Sequence, residues 1–295
     1  MLPDRDFAPV SVIVPAYRAA ATVGRALASI AAQTVKPEEV LVVDDGSNDG
    51  TFEAAREMSR RMEGVELVVI RQANVGAGAA RNRAIAEARY SVLAFLDADD
   101  EWLPEKLARS LAELETDGRV LVAHNYIRRE DGAETVIDCV RNFAAGDPFV
   151  SLYRRGYIAT STVLARKSAV ESAGGFDIGL ATGQDFDLWL RMLAPPGTRF
   201  AVFPDALTRY YVNPSGITAN TARRLACCLD IARRHAPALA GRPGGVLPSV
   251  CFRTAAVHYE AIRAYGRSGA WGKVLKTAAS APVALAGTAG RLRGR

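Results

Sequence analysis

Through its first 125 residues the chain alternates short, β-branched, almost wholly apolar runs with longer helix-patterned stretches, and that alternation admits few folds. The runs Val10–Val14, Val40–Val43, Leu67–Ile70, Val92–Leu96 and Val120–Ala123 read as strands. Because none of them has a polar face, they predict strands covered on both sides, as in a mostly parallel sheet flanked by helices. The stretches between, Thr22–Gln33, Thr51–Met62, Ala77–Ala88 and Glu105–Thr116, read as the helices. In such a sheet, functional residues gather where strands end and loops begin, at the carboxyl edge.

Asp131-Gly132, between Tyr126–Arg129 and Glu134–Ile137, has the form of a hairpin turn and ends the alternation. A second region follows, with an apolar segment at Ala159–Ala165, the turn Gly174-Gly175-Phe176-Asp177, a helix around Asp185–Leu193 and a strand near Phe200–Phe203. After Ala219 the sequence is rich in Ala and Arg and reads as helical, with breaks expected at Pro237, Pro243, Pro248 and Pro282.

With 295 residues, 49% of them hydrophobic, the chain can bury a sizeable core. Its four cysteines include no C-x-x-C pair, and the adjacent Cys227 and Cys228 would form a strained disulfide, so a reducing cytoplasm is expected. No leader pattern precedes the first apolar run, and no run approaches the roughly 18 apolar residues of a spanning helix. The net charge of +5 conceals a split: from Thr221 onward 13 Lys and Arg face only Asp230 and Glu260, so the preceding residues are mildly acidic. Such a basic tail either faces water or meets an anionic surface, such as a membrane leaflet to which the protein attaches peripherally. No nucleic-acid partner is expected. His124, His235 and His258 lack metal-ligand spacing and read as structural.

Four constellations could carry chemistry. Phe95-Leu96-Asp97-Ala98-Asp99-Asp100 places three carboxylates where an apolar strand ends. Like charges this close raise one another's pKa unless a cation sits among them, and oxygen-only ligation suits Mg2+ or Mn2+. The competing reading is an acidic helix start. In Val43-Asp44-Asp45-Gly46-Ser47-Asn48-Asp49-Gly50-Thr51 the glycines allow tight turning and Asp49 can cap the next helix, while Asp44 and Asp45 could accept from a pyrimidine N–H or ribose hydroxyls.

Asn74-Val75-Gly76-Ala77-Gly78-Ala79-Ala80-Arg81 only superficially matches a dinucleotide fingerprint, since Arg81 replaces the third glycine and the segment follows the third strand. It reads better as a small-residue helix start near a diphosphate, with Arg81 as counter-charge. Last, Gly183-Gln184-Asp185-Phe186-Asp187 opens a helix, where acidic residues are favourable as caps, and a carboxylate there could equally serve as a general base.

In order, Val12-Ile13-Val14-Pro15-Ala16-Tyr17, Val43-Asp44-Asp45-Gly46-Ser47, Asn74-Val75-Gly76 with Ala80-Arg81-Asn82, Asp97-Ala98-Asp99-Asp100, Gly175-Phe176-Asp177 and Gln184-Asp185 resemble the elements of a family-2 glycosyltransferase. The resemblance runs from Val10 to about Thr218. It implies an α/β GT-A fold with a helical C-terminal extension, in three stretches: 1–125 as the half that binds a nucleotide sugar, 126–218 as the acceptor and base half, and 219–295 as the basic extension. It further implies an inverting, metal-dependent transfer from a nucleotide-sugar donor, a UDP-sugar above others, to a saccharide or lipid-linked saccharide acceptor in polysaccharide or glycan assembly. Pro15 and Tyr17 would lie on the base, Asp45 would pair with uracil, and Arg81 would approach the diphosphate. Asp97 and Asp99 would form the D-x-D set, Asp99 holding Mn2+ or Mg2+, and Asp185 would be the catalytic base. Two departures stand out: Gln184 where the family has Glu, and Tyr210–Thr218, where the family has Arg near Tyr211 and His near Asn213. A sugar-phosphate nucleotidylyltransferase would need a Gly- and Arg-rich opening loop that Val14-Pro15-Ala16-Tyr17-Arg18 does not supply. A non-catalytic nucleotide-sugar-binding protein on the same fold would have no need of Asp185.

Overall fold

The computed structural model describes residues 6–143, 146–156, 158–213, 216 and 220–293. Pro214, Ser215, Ile217 and Thr218, from the last of the motifs above, lie outside the described residues. The five expected strands are present as β1 (Phe7–Ala16), β2 (Lys36–Asp44), β3 (Glu66–Arg71), β4 (Val92–Phe95) and β6 (Leu121–His124), with a short β5 (Glu101–Trp102) between the last two. The helices between them are α1 (Val23–Ala31), α2 (Thr51–Glu57), α3 (Ala77–Glu87) and α4 (Lys106–Leu114).

Later elements are β7 (Tyr126–Glu130), β8 (Ala133–Ile137), α5 (Pro148–Arg155), β9 (Leu164–Arg166), α6 (Lys167–Ser172), α7 (Gln184–Leu193), β10 (Phe200–Phe203) and β11 (Thr208–Tyr211). Three helices complete the chain: α8 (Thr221–His235), α9 (Val246–Arg267) and α10 (Trp271–Arg293).

The chain divides into two interleaved units. The first comprises Met1–Arg141, Ile158–Ile178 and Pro195–Val212. Its seven-stranded sheet has the order β10-β6-β9-β4-β1-β2-β3. The pairs β10–β6, β4–β1, β1–β2 and β2–β3 are parallel, and β9 runs antiparallel to both β4 and β6. Val12, Val14, Val40 and Val42 are fully buried with Val23, Leu27 and Ile30 of α1 in one core, which is why the strands could afford no polar face. A second sheet, β5-β11-β7-β8, contains the expected hairpin. Asp131 and Gly132 both take positive φ, 51° and 81°, as a two-residue turn matched to the strand twist requires.

The second unit comprises Asn142–Tyr157, Gly179–Ala194 and Asn213–Arg295. The stretch 126–218, treated above as one half, is thus shared between the units. Here α9 packs against α5, α8 and α10, and the buried Tyr153 of α5 donates from its hydroxyl to the Ala232 carbonyl of α8 at 2.7 Å. Pro237 and Pro243 do fall between helices, but Pro248 and Pro282 do not break theirs. Pro248 lies in the first turn of α9, where its missing N–H would have had no helical partner. Pro282 lies inside α10, and the carbonyl it leaves unpaired belongs to Ala278, an exposed residue that water can serve. Among the described residues no helix is long and apolar enough to cross a membrane.

Candidate active site

In the first unit the sheet's carboxyl edge collects two of the chain's acidic motifs, those that follow β2 and β4. The loop after β4 turns at once, Asp100 N–H donating to the Asp97 carbonyl at 3.0 Å, and this sorts the three carboxylates. Asp97 and Asp99 stay partly exposed, whereas Asp100 is 1% exposed. Asp100 accepts from the Ser161 hydroxyl at 2.5 Å and from Tyr211 N–H at 3.1 Å, which ties the loop to residues 160–162 and to β11. Burial, and then the charges of Asp97 and Asp99, push its pKa well above the ordinary carboxylate value. Burial and the same acidic loop push the Tyr210 phenol up. The loop is therefore a site of concentrated negative potential whose outward carboxylates are Asp97 and Asp99.

Arg81, in α3, reaches this loop. Its Nη2 pairs with Asp97 at 2.5 Å, its guanidinium lies 5.2 Å from the centre of the Phe176 ring, and its Nε is buried with no hydrogen-bond partner. The next residue, Asn82, donates to the Phe176 carbonyl and accepts from the Phe176 N–H, each at 2.8 Å. A Cβ on Gly175 would come within 2.7 Å of the Asn82 side-chain oxygen, so the Gly-Phe-Asp turn requires its glycine. Two motifs 94 residues apart thus act as one support for Arg81 and Asp97.

The loop after β2 is organised around its own carboxylates. Asp44 is fully buried, paired with Arg71 at 3.1 Å, and accepts from Ser47 N–H. Asp45, 2% exposed, accepts from Gln72 Nε2, Val75 N–H and Gly76 N–H at 2.8–3.0 Å. Three of the roughly four acceptor positions on its carboxylate are therefore occupied by the loop that leads into α3. Tyr17 is 47% exposed, while Pro15 is buried opposite Val43 of β2. The last β1 residue paired with β4 is Ile13, so the missing N–H of Pro15 costs the sheet nothing on that side.

Arg25 of α1 also reaches the loop after β4, without a motif in the sequence to mark it. Its Nη2 donates to the Asp99 carbonyl at 2.6 Å and its guanidinium stacks 3.8 Å from the centre of the Tyr211 ring. Tyr211, standing near the family's Arg position, donates from its hydroxyl to Glu101 at 2.9 Å. Nothing in an amphipathic helix pattern marks such a residue, because its partners are a carbonyl and a strand remote in sequence.

Asp185 belongs to the second unit, in the first turn of α7, where the helix dipole favours a carboxylate. Its neighbours fix that turn. Gln184 donates from Nε2 to the Leu180 carbonyl at 2.6 Å, which a glutamate in this position could not do when ionised. Asp187 is fully buried and accepts from Arg191 at 2.9 Å, Arg234 at 3.2 Å and His235 at 2.8 Å. Burial would raise its pKa, but the hydrogen bond from His235 and the charges of Arg191 and His235 more than offset that and hold it below the ordinary value. Of the two carboxylates that could have been caps or base, Asp187 is the structural anchor and Asp185 is left partly exposed.

A family model described as "Glycosyl transferase family 2" matches residues 11–167, just over half of the chain. The chain is 30% identical over 209 residues to Glycosyltransferase AglE of Haloferax volcanii, covering 70% of this chain and 68% of that protein. Over 217 residues it is 27% identical to the UDP-Glc:alpha-D-GlcNAc-diphosphoundecaprenol beta-1,3-glucosyltransferase WfaP of Escherichia coli, covering 73% and 82% of the two. The solved mannosyltransferase PcManGT from Pyrobaculum calidifontis, in complex with GDP-Man and Mn2+, aligns with a TM-score of 0.64 at 22% identity, covering 97% of this chain and 79% of that one. At that identity the likeness shows the fold alone, GT-A, with C-terminal helices following it. With the matched residues spanning β1 to the start of α6, and the acidic loop, Arg81 and Ser161 among them, the chain belongs to glycosyl transferase family 2.

Proposed function

We propose that the chain is an inverting glycosyltransferase that moves a sugar from a nucleoside-diphosphate donor, a UDP-sugar, to a hydroxyl of a saccharide acceptor in the assembly of a polysaccharide or glycan. The observation that carries this reading is the sorting of the loop after β4, with Asp100 sealed and Asp97 and Asp99 left outward beside the buried Arg81.

In this reading Tyr17 and Pro15 border the base, Asp45 reads it through its remaining acceptor position, and Arg81 faces the diphosphate. Asp99, with Asp97, would hold Mn2+ or Mg2+. The donor set fits: two outward carboxylates on a negatively charged loop would supply the oxygen ligands that such a hard cation takes, alongside donor phosphates and water. When bound, such a cation neutralises charge on the departing diphosphate. Asp185 takes the proton of the acceptor hydroxyl as its oxygen attacks the anomeric carbon and the bond to the diphosphate oxygen breaks. One displacement inverts that carbon. A screen of UDP-, GDP- and dTDP-sugars for nucleoside-diphosphate release, with and without Mn2+, tests the reading. Release from a UDP-sugar that requires the cation supports it, and absence of release from every donor with a range of acceptors overturns it.

The acceptor in this reading is carried by a lipid at the cytoplasmic face of a membrane, against which the extension lies. Support comes from WfaP, whose acceptor is named as a diphosphoundecaprenol-linked sugar, and from α10. No acidic residue follows Glu260, Lys273 and Lys276 lie on α10, and Trp271, Leu275 and Val283 are 67%, 71% and 72% exposed. A basic, tryptophan-bearing helix with outward apolar side chains suits an anionic interface. Co-sedimentation with anionic vesicles that weakens with salt and is lost on truncation after Ala219 is expected, and indifference to such vesicles at low salt contradicts it.

A further inference from the structure

The second unit buries a guanidinium that its own residues do not satisfy. Arg253 of α9 is 5% exposed, and its Nε is sealed without a hydrogen-bond partner. Among the described residues no carboxylate pairs with it, whereas Arg191 and Arg234 of the same unit pair with Asp187, and Arg242 with Asp147. A guanidinium has five N–H donors and cannot shed its charge, so sealing it without acceptors is costly. Stacking 4.5 Å from the centre of the Phe186 ring offsets part of that cost and supplies no acceptor.

The position is built rather than accidental. Gly156 ends α5 in the left-handed region at φ 68°, and a Cβ there would meet Arg253 Nη1 at 3.2 Å, Nη2 at 3.3 Å and Phe186 Cε2 at 3.4 Å. The glycine therefore leaves room for the guanidinium beside Phe186, the residue that follows Asp185. Glu260, the acid nearest in sequence, does not pair with it.

We infer that Arg253 is the anion-binding residue of the base-bearing unit, holding a phosphate of the diphosphate that links the acceptor sugar to its carrier. The inference rests on the reading of Asp185 as the acceptor's base. Phosphate suits this guanidinium because its several oxygens can accept from more than one of its N–H groups, in the forked geometry that arginine offers and lysine does not. It also gives the acceptor a second anchor beyond its hydroxyl, which places the sugar by a group that does not react.

Binding of inorganic pyrophosphate, followed by calorimetry without nucleotide or metal, tests the site independently of turnover. Arg253→Met should weaken it about tenfold or more, the scale of charge-assisted hydrogen bonds, while Arg81→Gln should retain it. Without ligand, Arg253→Met should melt no lower than the parent, since no hydrogen bond or ion pair is lost and the loss of stacking on Phe186 is offset by removal of a buried charge. Should that variant fail to fold, Arg253→Lys takes its place and should bind pyrophosphate more weakly than the parent. Unchanged pyrophosphate affinity in the Arg253 variants, or loss only with Arg81→Gln, overturns the site. A sugar linked through diphosphate to a short alkyl chain, compared with the neutral alkyl glycoside of the same sugar, identifies the source of the phosphate. Arg253→Met should raise KM for the first about tenfold more than for the second. Equal effects on both overturn the acceptor assignment and leave a site for free phosphate. If pyrophosphate binds through Arg253 in a protein that transfers no sugar, the enzymatic reading fails and the anion site stands.

Discussion

Arg81 and Asp97 form an ion pair of 2.5 Å in which the arginine side chain is 9% exposed and the aspartate 28%. The sequence suggested separate duties for the two, one toward the diphosphate and one in the D-x-D set. The pair makes them a single device, because each fixes the other's geometry.

Arg81→Gln and Asp97→Asn should therefore not act additively. Each alone should weaken binding of the nucleoside diphosphate, by about 10- to 100-fold on the scale of a charge-assisted hydrogen bond. The double variant should lose less than the sum, with a coupling of about 1–3 kcal/mol. Calorimetric titration of all four proteins in a double-mutant cycle measures this, and strict additivity would separate the two residues again.

The first turn of α7 should be sensitive to changes that leave Asp185 itself untouched. Asp187→Asn breaks a buried anion away from Arg191, Arg234 and His235 and should cost about 3–5 kcal/mol in urea unfolding. Gln184→Glu, although it restores the family's residue, removes the donor to the Leu180 carbonyl and should cost about 1–3 kcal/mol at neutral pH. Both should lower kcat more than they weaken donor binding. The folded pKa of Asp187 lies below its unfolded value, so its stabilisation is complete above the ordinary carboxylate range and is lost as pH falls through the folded pKa.

A second acid-sensitive element lies in β6. His124 is buried with its Nε2 lacking a partner, and burial, then the charge of Lys106, push its pKa down to about 3. Between that value and the unfolded one near 6.5, the unfolded chain holds more protons than the folded one. Stability should thus be full above the unfolded pKa and fall with decreasing pH by about 1.4 kcal/mol per unit across the window. His124→Phe, which can pack beside the Phe203 ring, should flatten that limb of the urea midpoint against pH. An unchanged slope would assign acid sensitivity to other groups.

Much of the scaffold is legible in the sequence, for a specific reason. Buried parallel strands must be apolar on both faces, and β1, β2, β4 and β6 announce themselves by that alone. What stays hidden is short or non-local. Neither β5, of two residues, nor β11 carries a pattern long enough to read, and the division of residues 126–218 between two units depends on contacts remote in sequence. Pro248 and Pro282 mislead because a proline breaks a helix only where its missing N–H and its ring meet a carbonyl that needs them. At the site, the carboxylates are visible as motifs. Their sorting into sealed Asp100 and Asp187 and outward Asp97, Asp99 and Asp185 is not, since it depends on Ser161, Tyr211, Arg234 and His235, all far along the chain. Arg253 is equally silent in sequence, where it is one of 13 basic residues in the tail.

The central claim, that Asp185 is the general base of an inverting transfer, is tested most directly by steady-state turnover and donor titration of Asp185→Asn. Its kcat should fall by about 10²–10⁴ with donor affinity within a few fold, as expected when only proton removal is lost. The parent's product should have the inverted anomeric configuration by NMR. An equal loss of donor binding, an undiminished kcat or a retained anomer would contradict the account.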